Sequence, residues 1–198
     1  MKTIKLTSIL LAFLLTILSS VSFADSGEPT AQLRSTLDKV IDTLKDKSLV
    51  GDARRDKIRE LINDRFYFRA MSQRTLSRNW KKASSDQQTE FTNLFSKLLE
   101  KTYIGRIEAY TDERVEYLRE KSKNKKRSVV YTHIVTKTNN IPINYKLALK
   151  GGKWLVYDIV IEEVSLISNY RTSYATIIKK NGMDGLLSQM KAKLSSQS

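Results

Sequence analysis

Residues 141–161 constrain the fold of this chain more tightly than any other stretch. Ile141, Ile143, Tyr145, Leu147 and Leu149 alternate with Pro142, Asn144, Lys146, Ala148 and Lys150, a period of two that sends the sets to opposite faces of a half-buried strand. Pro142 is tolerated near its beginning. Gly151-Gly152 suits a two-residue hairpin turn, and residues 154–161 return as a strand apolar on both faces apart from Asp158, which predicts cover on both sides. Before this hairpin, Val115-Glu116-Tyr117-Leu118 and residues 128–135 also read as strands, with Thr138-Asn139-Asn140 as a turn. The basic run at residues 119–127 reads as a loop between them. The expectation is an antiparallel meander of about four strands.

Helical spacing flanks the meander on both sides. Pro29 suits a first helical turn, and Leu33, Leu37, Val40, Ile41 and Leu44 follow on one face. Residues 52–62 give a second helical segment with Ile58, Leu61 and Ile62 on one side, and an aromatic cluster at residues 66–71 follows, with Leu76 and Trp80 beyond it. Ser84 or Ser85, with a glutamine three residues on, opens a long helix by a capping box. Phe91, Phe95, Leu98, Leu99, Thr102, Tyr103, Ile107 and Tyr110 trace its broad apolar face. After the strands, Tyr170, Tyr174, Ile177 and Ile178 restore helical spacing, Asn181-Gly182 stops it, and a last segment carries Met183, Leu186, Leu187, Met190 and Leu194. Helices, strands and helices segregated in this order imply an α+β fold in one domain, with the helices on a single antiparallel sheet.

The first 24 residues have the pattern of a cleaved secretory leader. Lys2 and Lys5 precede an apolar stretch at residues 9–18, and Val21-Ser22-Phe23-Ala24 offers small residues at the cleavage spacing. The expected division is a signal peptide over 1–24 and a domain over 25–198. The sequence has no cysteine, which excludes a lipidated-cysteine anchor, disulfides and thiol chemistry. Loss of Lys2 and Lys5 would leave 33 Lys+Arg against 21 Asp+Glu, a formal charge of +12. An exported basic chain meets anionic headgroups and acidic protein surfaces rather than nucleic acid; the same charge also serves solubility alone.

Reactive side chains are few. His133 is the only histidine and lies in a predicted strand without evident Asp or Ser partners. Glu162 and Glu163, adjacent at a strand end, point to opposite faces and make no paired-carboxylate site. Asp158, inside an apolar run, suits a hydrogen-bonded structural acid or a general base. No glycine-rich phosphate loop, nucleophile elbow or metal-spaced acidic cluster occurs.

The segment at residues 154–171, from Trp154 through Glu162-Glu163-Val164-Ser165 to Tyr170-Arg171, resembles the signature region of the MlaC-like family, also called the toluene-tolerance auxiliary family. Residues 66–72, Leu76 with Trp80, the helix from Gln88 to Tyr103 and the turn at residues 180–186 resemble it too. Tyr67 stands where an acidic residue is common in the family, and Ser77 and Glu163 stand where glycine is common. The resemblance implies a periplasmic phospholipid-binding protein, not an enzyme, whose helices and twisted sheet enclose acyl chains and leave the headgroup near solvent. It implies phospholipid as cargo, no cofactor or metal, and exchange between an outer-membrane lipoprotein complex and an inner-membrane ABC transporter complex that maintains outer-membrane lipid asymmetry. Transient contact with a membrane surface is compatible with it.

Burying two long acyl chains is worth on the order of 20 kcal/mol at roughly 0.8 kcal/mol per methylene, so a carrier needs a deep apolar cavity and little else. Phe91, Phe95, Leu99, Tyr103 and Ile107, facing Tyr131, Ile143, Tyr145 and Leu147, form a candidate wall pair. Phe68 and Met71 from the aromatic cluster, and Val164, Leu166 and Tyr170 from the signature segment, complete the candidate lipid-binding set. The same stripes would serve an ordinary filled core. Two rivals therefore remain beside the carrier: a small cone-fold enzyme on a hydrophobic substrate with Asp158 or His133 as base, and a structural envelope-assembly protein.

Overall fold

The structure, a computed structural model, describes residues 28–109 and 113–196. The leader expected over 1–24 and the helix-end residue Tyr110 lie outside them.

Four helices come first: α1 (Pro29–Lys45), α2 (Gly51–Arg65), α3 (Phe68–Leu76) and α4 (Ser85–Glu108), with a short tight turn of helix at Ser77–Lys81 between the last two. Pro29 sits in the first turn of α1. Ser84 caps α4 through a reciprocal box: its hydroxyl accepts from the Gln87 amide, and the Gln87 side chain accepts from the Ser84 amide, both at 3.1 Å. Then follow β1 (Arg114–Asn124), β2 (Arg127–Val135), β3 (Asn140–Lys150), β4 (Lys153–Ile161) and the two-residue β5 (Val164–Ser165), antiparallel neighbours in sequence order. Last comes α5 (Leu166–Ser195), kinked at Gly182, whose φ of 71° breaks the helical path.

Two expectations are corrected here. The run 119–127 is not a loop: β1 continues to Asn124, and only Lys125 and Lys126 connect it to β2. The run alternates after all, but between two polar sets. The Glu120 carboxylate turns towards α1 and accepts from the Thr30 amide at 3.1 Å and hydroxyl at 2.7 Å, at the start of that helix, while Arg119 lies over the Tyr131 ring at 3.8 Å. Polar–polar alternation leaves no hydropathy signal. Nor are Glu162 and Glu163 the end of a strand: with φ of 46° and 67° they form the tight two-residue turn from β4 to β5, a geometry that favours Asn, Asp or Gly.

Apolar residues gather into two clusters. Leu33 of α1 covers Val130, Tyr145, Leu147, Trp154 and Val156 on the sheet. Phe91, Phe95, Leu98 and Leu99 of α4 pack with Met71, Leu76, Trp80, Leu166, Ile167, Tyr174, Leu186, Leu187 and Met190. β4 is where the elements converge. The Trp154 amide donates to the Gln32 side-chain oxygen and its carbonyl accepts from Arg65, each at 2.9 Å, and the Tyr67 amide donates to the Val156 carbonyl at 2.8 Å. Asp158, 5% exposed, accepts from Lys146 and Ser165 at 2.8 Å and from the Ile167 amide at 3.2 Å, pinning the start of α5 to β4.

Candidate functional site

The register of α4 against α5 creates the cleft. Phe91 and Phe95 meet Tyr174 and Tyr170 edge to face, with ring centroids 5.8 Å and 5.3 Å apart, so the helices run antiparallel and α5 begins, at Leu166, roughly level with Leu99. The stretch of α4 beyond this point overhangs the start of its partner. Helix α2 leans on α1 and β4, leaving a gap between α2 and the α4 overhang.

That gap is a cleft of about 690 Å³, within the roughly 300–1,000 Å³ typical of small-molecule sites. Its apolar lining is Ile62 and Phe66 from α2 and its end, Phe68 and Met71 from α3, Leu99, Tyr103, Ile104 and Ile107 from α4, Ile159 from β4, and Leu166 and Leu194 from α5. Its polar lining is confined to α2 and α4: Asp52, Arg55, Arg59, Asn63, Ser96, Lys97, Glu100 and Lys101. Met71, Leu99 and Leu166 are buried, whereas Arg55 and Arg59 keep nearly half of their side-chain surface in water. The wall is therefore apolar inside and charged at its lip.

Two ion pairs join the lips. Arg55 grips Glu108 side-on, Nε to Oε1 at 3.0 Å and Nη2 to Oε2 at 3.2 Å. One helical turn on, Nε and Nη2 of Arg59 both reach Oε1 of Glu100, at 2.8 and 2.5 Å, and Nη1 also contacts Asp56. Donating to Glu100 raises the Arg59 pKa above its ordinary value. Lys101 turns away, donating to the Leu194 carbonyl at 2.8 Å. Burial pushes the Tyr103 phenol up, with Tyr170 adding to the effect.

Of the candidate lipid contacts, Phe68, Met71, Leu99, Tyr103, Ile107 and Leu166 come together around the cleft. The others lie elsewhere. Phe91, Phe95 and Tyr170 belong to the aromatic stack between α4 and α5. Tyr145 and Leu147 are buried under α1, with Ile143 beside them, so this part of the sheet faces Leu33 rather than the α4 stripe. Tyr131 lies beneath Arg119, and Val164 on β5 is 60% exposed. The reading from sequence missed Ile62, Phe66, Ile104, Ile159, Leu194 and the whole charged lip. The doubled Asp-x-x-Arg of α2, at 52–55 and 56–59, was the available signal, but such pairs usually mark a solvated helix face.

His133 is half-buried on β2. Among the described residues no group of three or more metal-ligating side chains converges, and no helix is long and apolar enough to cross a membrane.

The architecture is shared with a solved phospholipid-binding protein from Ralstonia solanacearum, determined in complex with a phospholipid: the TM-score is 0.80 over 86% of this chain and 99% of that one, at 22% identity. A family model described as MlaC protein matches residues 34–192, and the chain belongs to that family. It is also 25% identical over 122 residues to the intermembrane phospholipid transport system binding protein MlaC of Haemophilus influenzae. That match spans 59% of this chain and 57% of the relative.

Proposed function

We propose that this protein is a periplasmic phospholipid carrier, not an enzyme, which takes the acyl chains of one lipid into the cleft beneath the α4 overhang. It exchanges that lipid with an inner-membrane ABC transporter complex and an outer-membrane lipoprotein complex, and so helps to keep the outer membrane's two leaflets distinct. The observation that carries this reading is the cleft itself, apolar inside and charged only at its lip, in a chain of the MlaC family. The phospholipid bound in the Ralstonia solanacearum structure and the transport name of the Haemophilus influenzae relative support it. Asp158, the best-placed candidate base of the rival enzyme, is occupied by three hydrogen bonds within the fold.

An apolar cleft of this size is poorly served by water. Protein purified from periplasm without detergent is therefore expected to yield phospholipid on solvent extraction and mass spectrometry. Lipid no more abundant than in a control periplasmic protein after gentle isolation would refute the carrier.

A further inference from the structure

We propose that Arg55 and Arg59 are a phosphate-binding pair, which takes the phosphodiester of the bound lipid in exchange for Glu108 and Glu100. The inference rests on the cleft being a phospholipid site, and adds which part of the lipid is recognised and by what. Orientation is the first argument. The charges lining the cleft all sit on the α2 and α4 lips, while Phe66, Phe68, Met71, Ile159 and Leu166 form its apolar interior. A lipid with its chains among those residues has its phosphate at Arg55 and Arg59.

Geometry is the second. The two arginines are four residues apart on one helix, hence on one face, and both cross the gap towards α4. Each already holds a carboxylate through Nε and Nη2, and a guanidinium fork presents the same pair of donors to two phosphate oxygens.

The third argument is what becomes of the displaced carboxylates. Around the lip Arg55, Arg59 and Lys97 stand against Asp52, Asp56, Glu100 and Glu108, three cations to four carboxylates, so an anion gains little by adding to the lip and must exchange. Glu100 and Glu108 are partly buried, at 25% and 22% of their side-chain surface in water, but Arg55 and Arg59 keep 47% and 43%, so water reaches each pair from the arginine side and screens it. Lys97, exposed and three residues before Glu100 on the same face of α4, stands ready to receive it.

The test compares two pyrene-labelled lipids with identical chains, phosphatidylglycerol and diacylglycerol, delivered to lipid-stripped protein from cyclodextrin. Wild type is expected to prefer the phospholipid. Arg55→Gln/Arg59→Gln should lose about tenfold of that preference, read as the ratio of the two uptakes in the same protein, the scale of a pair of charge-assisted hydrogen bonds offset by exchange. Arg55→Lys/Arg59→Lys, which keeps the charge but not the fork, should lose part of it. Glu100→Gln/Glu108→Gln, which removes the competitors, should raise the preference and gives an independent reading of opposite sign should the arginine variants fold poorly. A preference unmoved by either glutamine pair overturns the assignment while leaving the carrier intact. Wild type taking up neither probe instead overturns the cleft as a lipid site. Excess inorganic phosphate should leave the wild-type preference unchanged, because a free ion has no chains to hold it at the lip; abolition of the preference by phosphate would give the site to the free anion and overturn its assignment to lipid.

Discussion

Phe91 and Phe95, in the first half of α4, stack 5.4 Å apart and are closed in by Tyr170 and Tyr174, whereas Tyr103, Ile104 and Ile107, in the second half, look into an open cleft. The helix is regular throughout and its apolar spacing does not change. What changes is the neighbour: the first half of α5 supplies aromatic rings as far as Tyr170 and gives out at Leu166, next to β5, and only Leu194 from the far end of the kinked helix reaches the cleft. Apolar periodicity thus tells which face of a helix leaves water, while the register of the next element decides whether protein or cargo covers it.

The sharpest way to break this comparison is to truncate one apolar side chain in each half. Phe95→Ala should cost about 3–5 kcal/mol, as expected for an aromatic lost from a closed core, read as a lowered urea midpoint with an unchanged slope. Ile107→Ala should cost well under that, because its site is already open, and should instead reduce lipid retention. Equal losses of stability would show that the second half of α4 is as closed as the first.

Asp158 tests the boundary between the halves, since its carboxylate fixes where α5 begins. Asp158→Ala strips partners from Lys146, Ser165 and the buried Ile167 amide, and a loss of about 2 kcal/mol is expected, again by denaturant titration. A neutral result would mean that the start of α5 is held by packing alone.

The smallest effects belong to two turns that contribute no side chain to the cleft. Ser77 has φ of 52° and Glu163 φ of 67°, a region costly for residues with a β-carbon. Ser77→Gly and Glu163→Gly should each raise stability by up to about 1 kcal/mol, strain relief being offset by the freer unfolded chain, and differential scanning calorimetry reads this as a higher Tm. Lipid retention should not move.

These residues also show how far the amino-acid order speaks for the structure. Period-two alternation marked β3, and Gly151-Gly152 marked the turn to β4, because each is a local rule. β1 beyond Leu118 was hidden because Arg119, Lys121 and Lys123 alternate with Glu120, Ser122 and Asn124, two polar sets whose difference lies only in what they touch. Ser77 and Glu163 were marked by standing where the family favours glycine, and both have positive φ. The cleft was half visible: the α4 stripe was clear, but the partner expected across it, Tyr145 and Leu147, lies under α1. Which sheet face meets which helix is a long-range fact that periodicity does not contain.

The convergence on β4 also sets a timetable. A chain made from its N-terminus completes α1 to α4 well before Lys153–Ile161 exists, yet Gln32, Arg65 and Tyr67 find their backbone partners on Trp154 and Val156, and α5 is tethered by Asp158 in the same strand. Until β4 has emerged, α2 and α3 lack their partners in the sheet, and α1 can meet only β1 to β3. The packing of these helices is thereby completed only in the last fifth of synthesis, after every earlier element has been made.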